Sequence, residues 1–175
     1  PDLTALVSRW QEPGQGTRHL LSLLRGHRLK ALLRRMLDEA EFLSEHGVRA
    51  LSKFHQAHPY VFRSAEKSFT VDYEPGESTT GLYGGNSNWR GPVWFPVNYL
   101  LIEGLQRFHH YYGDDFRVEY PTGSGQYSTL LSIADQLTKR LTTLFLRGEN
   151  GQRACFGADM QQQTDPNFKD YLLFH

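Results

Sequence analysis

The amino-acid sequence predicts a mainly α-helical fold that is interrupted by one short β-hairpin and by long loops. In three segments, at residues 20–43, 92–112 and 128–145, apolar residues recur every three or four positions, which is the spacing of one helix face. Residues 60–73 alternate apolar and polar side chains instead, as a half-buried hairpin does. The chain of 175 residues is long enough to bury a core of its own.

The first predicted helix spans residues 20–43 and ends before Gly47, a natural helix stop. Its apolar stripe comprises Leu29, Leu32, Leu33, Met36, Leu37, Ala40 and Leu43. The opposite face is basic, with Arg25, Arg28, Lys30, Arg34 and Arg35. Phosphate binding is one interpretation of this face, but a solvated helix surface is the more common outcome of such a pattern.

The hairpin is predicted at residues 60–73, with a polar turn at residues 64–67. A long loop follows at residues 74–91, where five glycines stand without any helical spacing. Loops of this length inside a domain are usually functional or disordered, and the aromatic and Asn content of this one argues against disorder. We therefore expect the loop to carry part of a functional site.

The second helix is predicted from Pro92 to Tyr112. Pro92 and Pro96 are tolerated only in its first turn, where missing amide donors cost little. Gly113 ends it, and its predicted inward face comprises Val97, Leu101, Leu105, Phe108 and Tyr112.

Two further helices complete the predicted order. The third is capped by Ser128 or Thr129 and runs to Phe145, with Ile133, Leu137, Leu141 and Leu144 as its apolar stripe. The last begins with Asp165 as its cap and runs without a stop signal to His175. Because the chain also opens on Pro1 rather than Met, we expect a piece of a longer protein that is cut at both ends.

The composition argues against several classes of partner. The chain carries 19 basic and 19 acidic residues, so its zero net charge gives no general attraction to nucleic acid or to anionic membranes. No apolar run is long enough to span a bilayer. A single cysteine, Cys155, excludes an internal disulfide and favours a reducing, cytoplasmic setting.

The strongest functional signal is the run at residues 84–99, GGNSNWRGPVWFPVNY. Its two indole rings offer flat apolar faces, its Arg offers a planar fork of donors, and its Asn side chains both donate and accept hydrogen bonds. A sugar needs all three, because it presents an apolar ring face and a rim of hydroxyls. The run predicts a sugar-binding site; the alternative is a buried Trp pair that packs under a Pro-capped helix. In that helix Arg90, Trp94 and Asn98 stand four apart and share one edge.

The same run resembles the signature segment of glycoside hydrolase family 63, the processing α-glucosidase I family. The resemblance lies in WRGPVW at residues 89–94 and NYL at residues 98–100. Residues 47–52, GVRALS, are similar to the Gly-Leu-Arg-Ser-Leu-Ser stretch of that family, and residues 164–175 resemble the approach to its catalytic base. The three stretches occur in the family's order, and long bacterial and cyanobacterial members are the most similar.

This resemblance implies that residues 1–175 are a fragment of one catalytic domain, part of an (α/α)6 toroid. It implies inverting hydrolysis of α-linked glucose or mannose, by an Asp acid and a Glu base, without a cofactor. The acid is expected upstream of Pro1 and the base just after His175, so this chain would carry neither and would form a wall of the sugar pocket. The remainder of the parent chain would complete that pocket.

The candidate substrate-binding residues are Trp89, Arg90, Trp94, Asn98, Asn86, Asn88 and Glu77, and no metal ligand is predicted. Glu77 would be an acid–base candidate only if the chain were a whole enzyme, and a solvated loop Glu is the favoured interpretation. Trp94 and Asn98 could equally serve as structural support. Residues 95–98 depart from the eukaryotic glucosidases, which leaves the substrate open.

Two other functions remain open for such a chain. One is a non-catalytic carbohydrate-binding or scaffold domain. The other is a helical nucleic-acid binder that uses the basic face at residues 25–35, against which the zero net charge counts. A metal site at His109 and His110 is disfavoured, because adjacent helix residues point about 100° apart.

Overall fold

The computed structural model describes residues 7–12, 16–76, 78–85 and 87–171. Within these ranges the helices are α1 (Gly26–Met36), α2 (Phe95–Tyr112), α3 (Leu130–Thr142) and α4 (Met160–Thr164). The strands form antiparallel pairs, namely β1 (Val7–Glu12) with β2 (Gly16–Leu21), β3 (Leu43–Ser44) with β4 (Gly47–Val48), β5 (Tyr60–Ser64) with β6 (Lys67–Val71), and β7 (Arg117–Glu119) with β8 (Tyr127–Thr129).

The predicted fold class, a mainly α chain forming part of an (α/α)6 toroid, is wrong. Over the described ranges four helices are accompanied by four two-stranded hairpins, and no ring of helices is present. Three of these hairpins lie where the apolar spacing indicated helix or loop. Their strands are two to six residues long, too short for an alternating pattern to stand out from the neighbouring segments.

Helix α1 forms where the first helix was predicted but is shorter at both ends. At its start, Leu20 and Leu21 pair in the β1–β2 hairpin instead. Past its end, the Asp38 carboxylate accepts a hydrogen bond from the Ala40 amide at 2.8 Å, a local contact that competes with helix continuation. The inward-facing residues are Leu29, Leu33 and Met36, whereas Leu32 is exposed, contrary to the predicted stripe.

Helices α2 and α3 pack against each other and, with α1, enclose the core. Thr129 caps α3 as predicted, accepting from the Ser132 amide at 3.2 Å, and Gly113 ends α2 with a φ of 70°. The core residues are Leu29, Leu33, Leu37, Leu43, Val48, Ile102, Leu105, Val118, Leu130, Ile133, Ala134, Leu137 and Leu141. Val97 is exposed, so the predicted inward face of α2 is wrong at that position, and Asn98 is buried beside it.

The hairpin predicted at residues 60–73 is confirmed, as β5 and β6 joined by a turn at Ala65 and Glu66. The long loop at residues 74–91 is confirmed too; its described part holds one short 3-10 turn, Leu82–Gly85. The last predicted helix is wrong over its described residues. Asp165 ends α4, whose cap is Asp159, and turns follow as far as Tyr171.

Candidate functional site

Arg90 lies at the end of the long loop and is only 1% exposed. Its guanidinium forms an ion pair with Glu74 and donates hydrogen bonds to the hydroxyls of Ser78 and Thr80, the latter at 3.3 Å from Nη1. A buried guanidinium needs such partners, because an unpaired buried charge is strongly unfavourable. Arg90 therefore holds together the loop from which it projects.

Glu74 closes the loop at its other end. Its amide donates to the Arg90 carbonyl oxygen at 2.6 Å, and its Oε1 accepts from the Thr79 amide at 3.1 Å and from the Thr79 hydroxyl. The Thr79 hydroxyl is the main cause that lowers the pKa of the Glu74 carboxyl; desolvation opposes it, and the Thr79 amide and the charge of Arg90 lower it further. Glu74 is thus an ionised anchor of the loop.

The two indole rings of the motif form a contact pair. The ring centroids of Trp89 and Trp94 lie 4.5 Å apart, with an interplanar angle of 38°. Trp94 is half-buried and its Nε1 donates to the Asn88 carbonyl oxygen at 2.8 Å, while Trp89 is 54% exposed. The pair therefore offers an open aromatic surface on Trp89, supported from below by Trp94, and aromatic surfaces of this kind can stack on the apolar face of a sugar.

Asn98 lies in the protein interior and is only 1% exposed. Its Oδ1 accepts from the Val48 amide at 2.7 Å, and its Nδ2 donates to the carbonyl oxygens of Val48 and Trp94, both at 2.9 Å. The side chain joins β4 to the start of α2. Its hydrogen-bonding groups are directed to main-chain atoms of the protein.

The other candidate residues lie in or near the loop. Asn88 is exposed and its carbonyl oxygen receives the Trp94 hydrogen bond. Glu77 and Asn86 lie outside the described residues. Their proposed contacts with a sugar stay predictions.

Two of the three motif stretches come together through glycines. A Cβ on Gly47 would lie 2.8 Å from Asn98 Oδ1 and 3.1 Å from Val93, and a Cβ on Gly91 would overlap the ring of Tyr73. Arg49 and Val93 form an isolated antiparallel bridge, and the Ala50 amide donates to the Pro92 carbonyl oxygen at 2.9 Å. The stretches at residues 47–52 and 89–94 are therefore parts of one packed unit.

One cavity borders this unit, and a second cavity lies next to the first. The first has a volume of about 440 Å³ and is lined in part by Tyr73, Arg49 and residues 91–93. The second, of about 400 Å³, is lined in part by Arg147 and Arg153. Glu45 and His46 line both, and His46 Nδ1 lies 2.8 Å from the Thr143 hydroxyl.

Tyr73 and His46 were not among the predicted site residues. Tyr73 was assigned only to the alternating pattern of the hairpin, and His46 belongs to no recognised motif. The Gly91-Pro92 pair was the one available signal, because a glycine before a proline can mark a close approach of another group. What approaches Gly91 is Tyr73.

The third motif stretch is attached by arginines. Arg147 Nη2 donates to Asp170 Oδ1 at 2.6 Å and to the Lys169 carbonyl oxygen at 2.9 Å, and Arg153 also donates to that carbonyl oxygen. Since Arg147 and Arg153 line the second cavity, Lys169 and Asp170 are hydrogen-bonded to side chains of its wall.

Over the described ranges, no three His, Cys, Asp or Glu side chains are grouped as metal ligands. Nor does any helix of those ranges combine the length and apolar character needed to cross a membrane.

The family comparison places this domain in the glycoside hydrolase class. Residues 18–161 match the family described as the mannosylglycerate hydrolase MGH1-like glycoside hydrolase domain. The chain belongs to this family. The predicted glycoside hydrolase class is therefore confirmed, whereas membership of the processing α-glucosidase I family stays a prediction.

A relative is found in Saccharomyces cerevisiae, where the chain is 48% identical over 170 residues to a protein named "Uncharacterized protein YMR196W". The match covers 96% of this chain but only 16% of the yeast protein. No solved structure matches the chain significantly.

Proposed function

We propose that the protein to which this chain belongs is an inverting α-glycosidase, and that this chain forms part of its sugar-binding wall. On this proposal residues 1–175 belong to one catalytic domain whose acid and base lie outside them. The likeness of residues 47–52, 89–100 and 164–175 to the processing α-glucosidase I family supports the inverting mechanism.

The observation that carries the proposal is the exposed ring of Trp89. Its position is fixed by its neighbours: Trp94 packs against it, and the Arg90–Glu74 pair holds the next residue of the chain. An aromatic face of this kind suits a pyranose ring, since the C–H groups on one face of the sugar form an apolar surface that can stack on the indole. Asn88 and the other loop amides would serve the hydroxyls at the rim.

The substrate is proposed to be an α-glucoside or an α-mannoside. The family's description names a hydrolase of mannosylglycerate, and this supports the mannosyl substrate. The likeness to the processing glucosidases supports a glucosyl substrate. Both classes should therefore be assayed side by side.

The test is turnover of α-mannosides and α-glucosides by the full-length protein and its Trp89→Ala and Trp89→Phe variants. Trp89→Ala should lower kcat/KM about tenfold or more, because loss of an aromatic stacking contact costs about 1 kcal/mol on top of lost buried area. Trp89→Phe should retain most activity. Phe62→Ala is the matched control, since Phe62 is a similarly exposed aromatic residue on the β5–β6 hairpin.

The stereochemistry gives a separate readout. Proton NMR of the first product should show the β-anomer released from an α-glycoside, as single displacement requires. Release of the α-anomer would overturn the inverting mechanism. Sugar binding that depends on Trp89 without turnover of either substrate class would favour the non-catalytic carbohydrate-binding alternative.

A further inference from the structure

A basic cavity lies between α1 and the β7–β8 hairpin and shares no residue with the site described above. Its volume is about 390 Å³, and its lining comprises Lys30, Arg34, Arg117, Val118, Glu119, Thr122 and Tyr127. We propose that it binds an anionic sugar, whose phosphate or carboxylate group lies among Lys30, Arg34 and Arg117 and whose ring stacks on Tyr127.

The fold brings the three cationic side chains together. Lys30 and Arg34 stand one turn apart on α1, and both are exposed. On β7, Val118 is directed into the core, so Arg117 and Glu119 lie on the opposite, outer face of the hairpin. Like charges do not gather at one cavity without a cost, and an anion removes that cost.

Glu119 neutralises this group only in part. Its Oε1 accepts from the Gly125 amide at 2.7 Å, and the amides of Gly123 and Gly125, more than the charge of Arg34, hold the pKa of its carboxyl below the usual range. The three cationic side chains therefore share one carboxylate, and that carboxylate also accepts a hydrogen bond from the hairpin loop. Over the described residues, no salt bridge is formed by Lys30, Arg34 or Arg117.

One aromatic residue, Tyr127, lines the cavity, and a second, Phe116, contacts Lys30. The Lys30 ammonium lies 4.8 Å from the ring centroid of Phe116, a cation–π contact that restrains it beside the cavity. Tyr127 is 64% exposed and stands opposite Glu119 across the hairpin. An exposed ring beside a cluster of positive charge suits a ligand with both a charged group and an apolar face.

The test is calorimetric titration of the full-length protein with glucose 6-phosphate at low ionic strength, with glucose and inorganic phosphate as comparison ligands. Arg34→Ala should weaken binding of glucose 6-phosphate about tenfold, as loss of a charge-assisted hydrogen bond predicts. Arg28→Ala, on the same helix but outside the cavity, should leave it unchanged. Tyr127→Ala should weaken binding of the sugar phosphate but not of inorganic phosphate.

Several results would overturn the proposal. One is equal weakening by Arg34→Ala and Arg28→Ala, and another is binding of glucose 6-phosphate that Trp89→Ala abolishes and Arg34→Ala does not affect. Binding of a single-stranded oligonucleotide that depends equally on Arg28 and Arg34 would instead assign the helix face to nucleic acid. Arg34→Ala should leave glycoside turnover intact, so failure here is distinguishable from failure of the proposed glycosidase function.

Discussion

Glu74 and Arg90 form an ion pair at the base of the long loop at residues 74–91, where Arg90 is almost completely buried. A main-chain hydrogen bond of 2.6 Å joins the same two residues, so the ends of the loop are held by backbone and by charge together. Trp89 precedes Arg90 directly. The position of the exposed indole ring thus depends on this contact.

Glu74→Gln should lower the thermal midpoint of unfolding more than Glu103→Gln does. The first change leaves the buried Arg90 guanidinium without its anionic partner, whereas Glu103 forms an exposed pair with Arg107 at 3.2 Å, a kind that contributes little. Circular dichroism melts of the two variants provide the measurement. Equal shifts would show that the Glu74–Arg90 pair does not hold the loop.

The lowered pKa of Glu74, caused first by the Thr79 hydroxyl and to a smaller extent by the charge of Arg90, predicts a pH dependence. The pKa of Glu74 is lowered from its ordinary value of 4.5, so the stabilising effect of its ionised form is present above that value and is lost as the pH falls through the lower pKa of the folded protein. The difference in thermal midpoint between wild type and Glu74→Gln should therefore be constant near neutral pH and shrink in acid. A difference that grows on acidification would contradict the assignment.

The sequence predicted the parts of the fold that have strong local signals. The stripe of α3, its Thr129 cap, the β5–β6 hairpin and the glycine stop of α2 all follow from spacing or from a single capping residue. The remaining hairpins could not be predicted in this way. Strands as short as Leu43–Ser44, which pairs with Gly47–Val48, hold too few residues to show an alternating pattern.

The candidate site could be selected by composition, but its geometry could not be predicted. Residues 89–98 were selected as one unit, yet nothing in their spacing indicated that Arg90 would turn towards Glu74 or Asn98 towards Val48. Those directions are set by where α2 begins. It begins at Phe95 rather than Pro92, so Arg90 lies outside the helix and shares no helical edge with Asn98.

Gly91→Ala should destabilise the protein by about 2 kcal/mol or more, because Gly91 has a φ of +125° and a Cβ there would overlap the Tyr73 ring. Gly104→Ala is the matched control, for which the expected change in stability has the opposite sign. It lies inside α2 with no atom within 4 Å of the added Cβ, and should stabilise by about 0.5–1 kcal/mol. Urea unfolding of both variants measures the two changes. Similar effects at the two positions would contradict the close packing of Gly91 on Tyr73.

Asn98→Ala should destabilise the protein by about 3 kcal/mol, since it leaves the Val48 amide and carbonyl groups buried without a partner. Asn98→Asp keeps the acceptor for the Val48 amide but replaces the donor with an oxygen that faces the carbonyl oxygens of Val48 and Trp94. At neutral pH it should be at least as destabilising, and it should recover part of the loss in acid, where a protonated carboxyl can donate again. Denaturant unfolding of both variants at two pH values distinguishes a structural role of Asn98 from direct contact with the sugar. If Asn98 only contacted the sugar, both variants would unfold like wild type and would differ from it in substrate affinity alone.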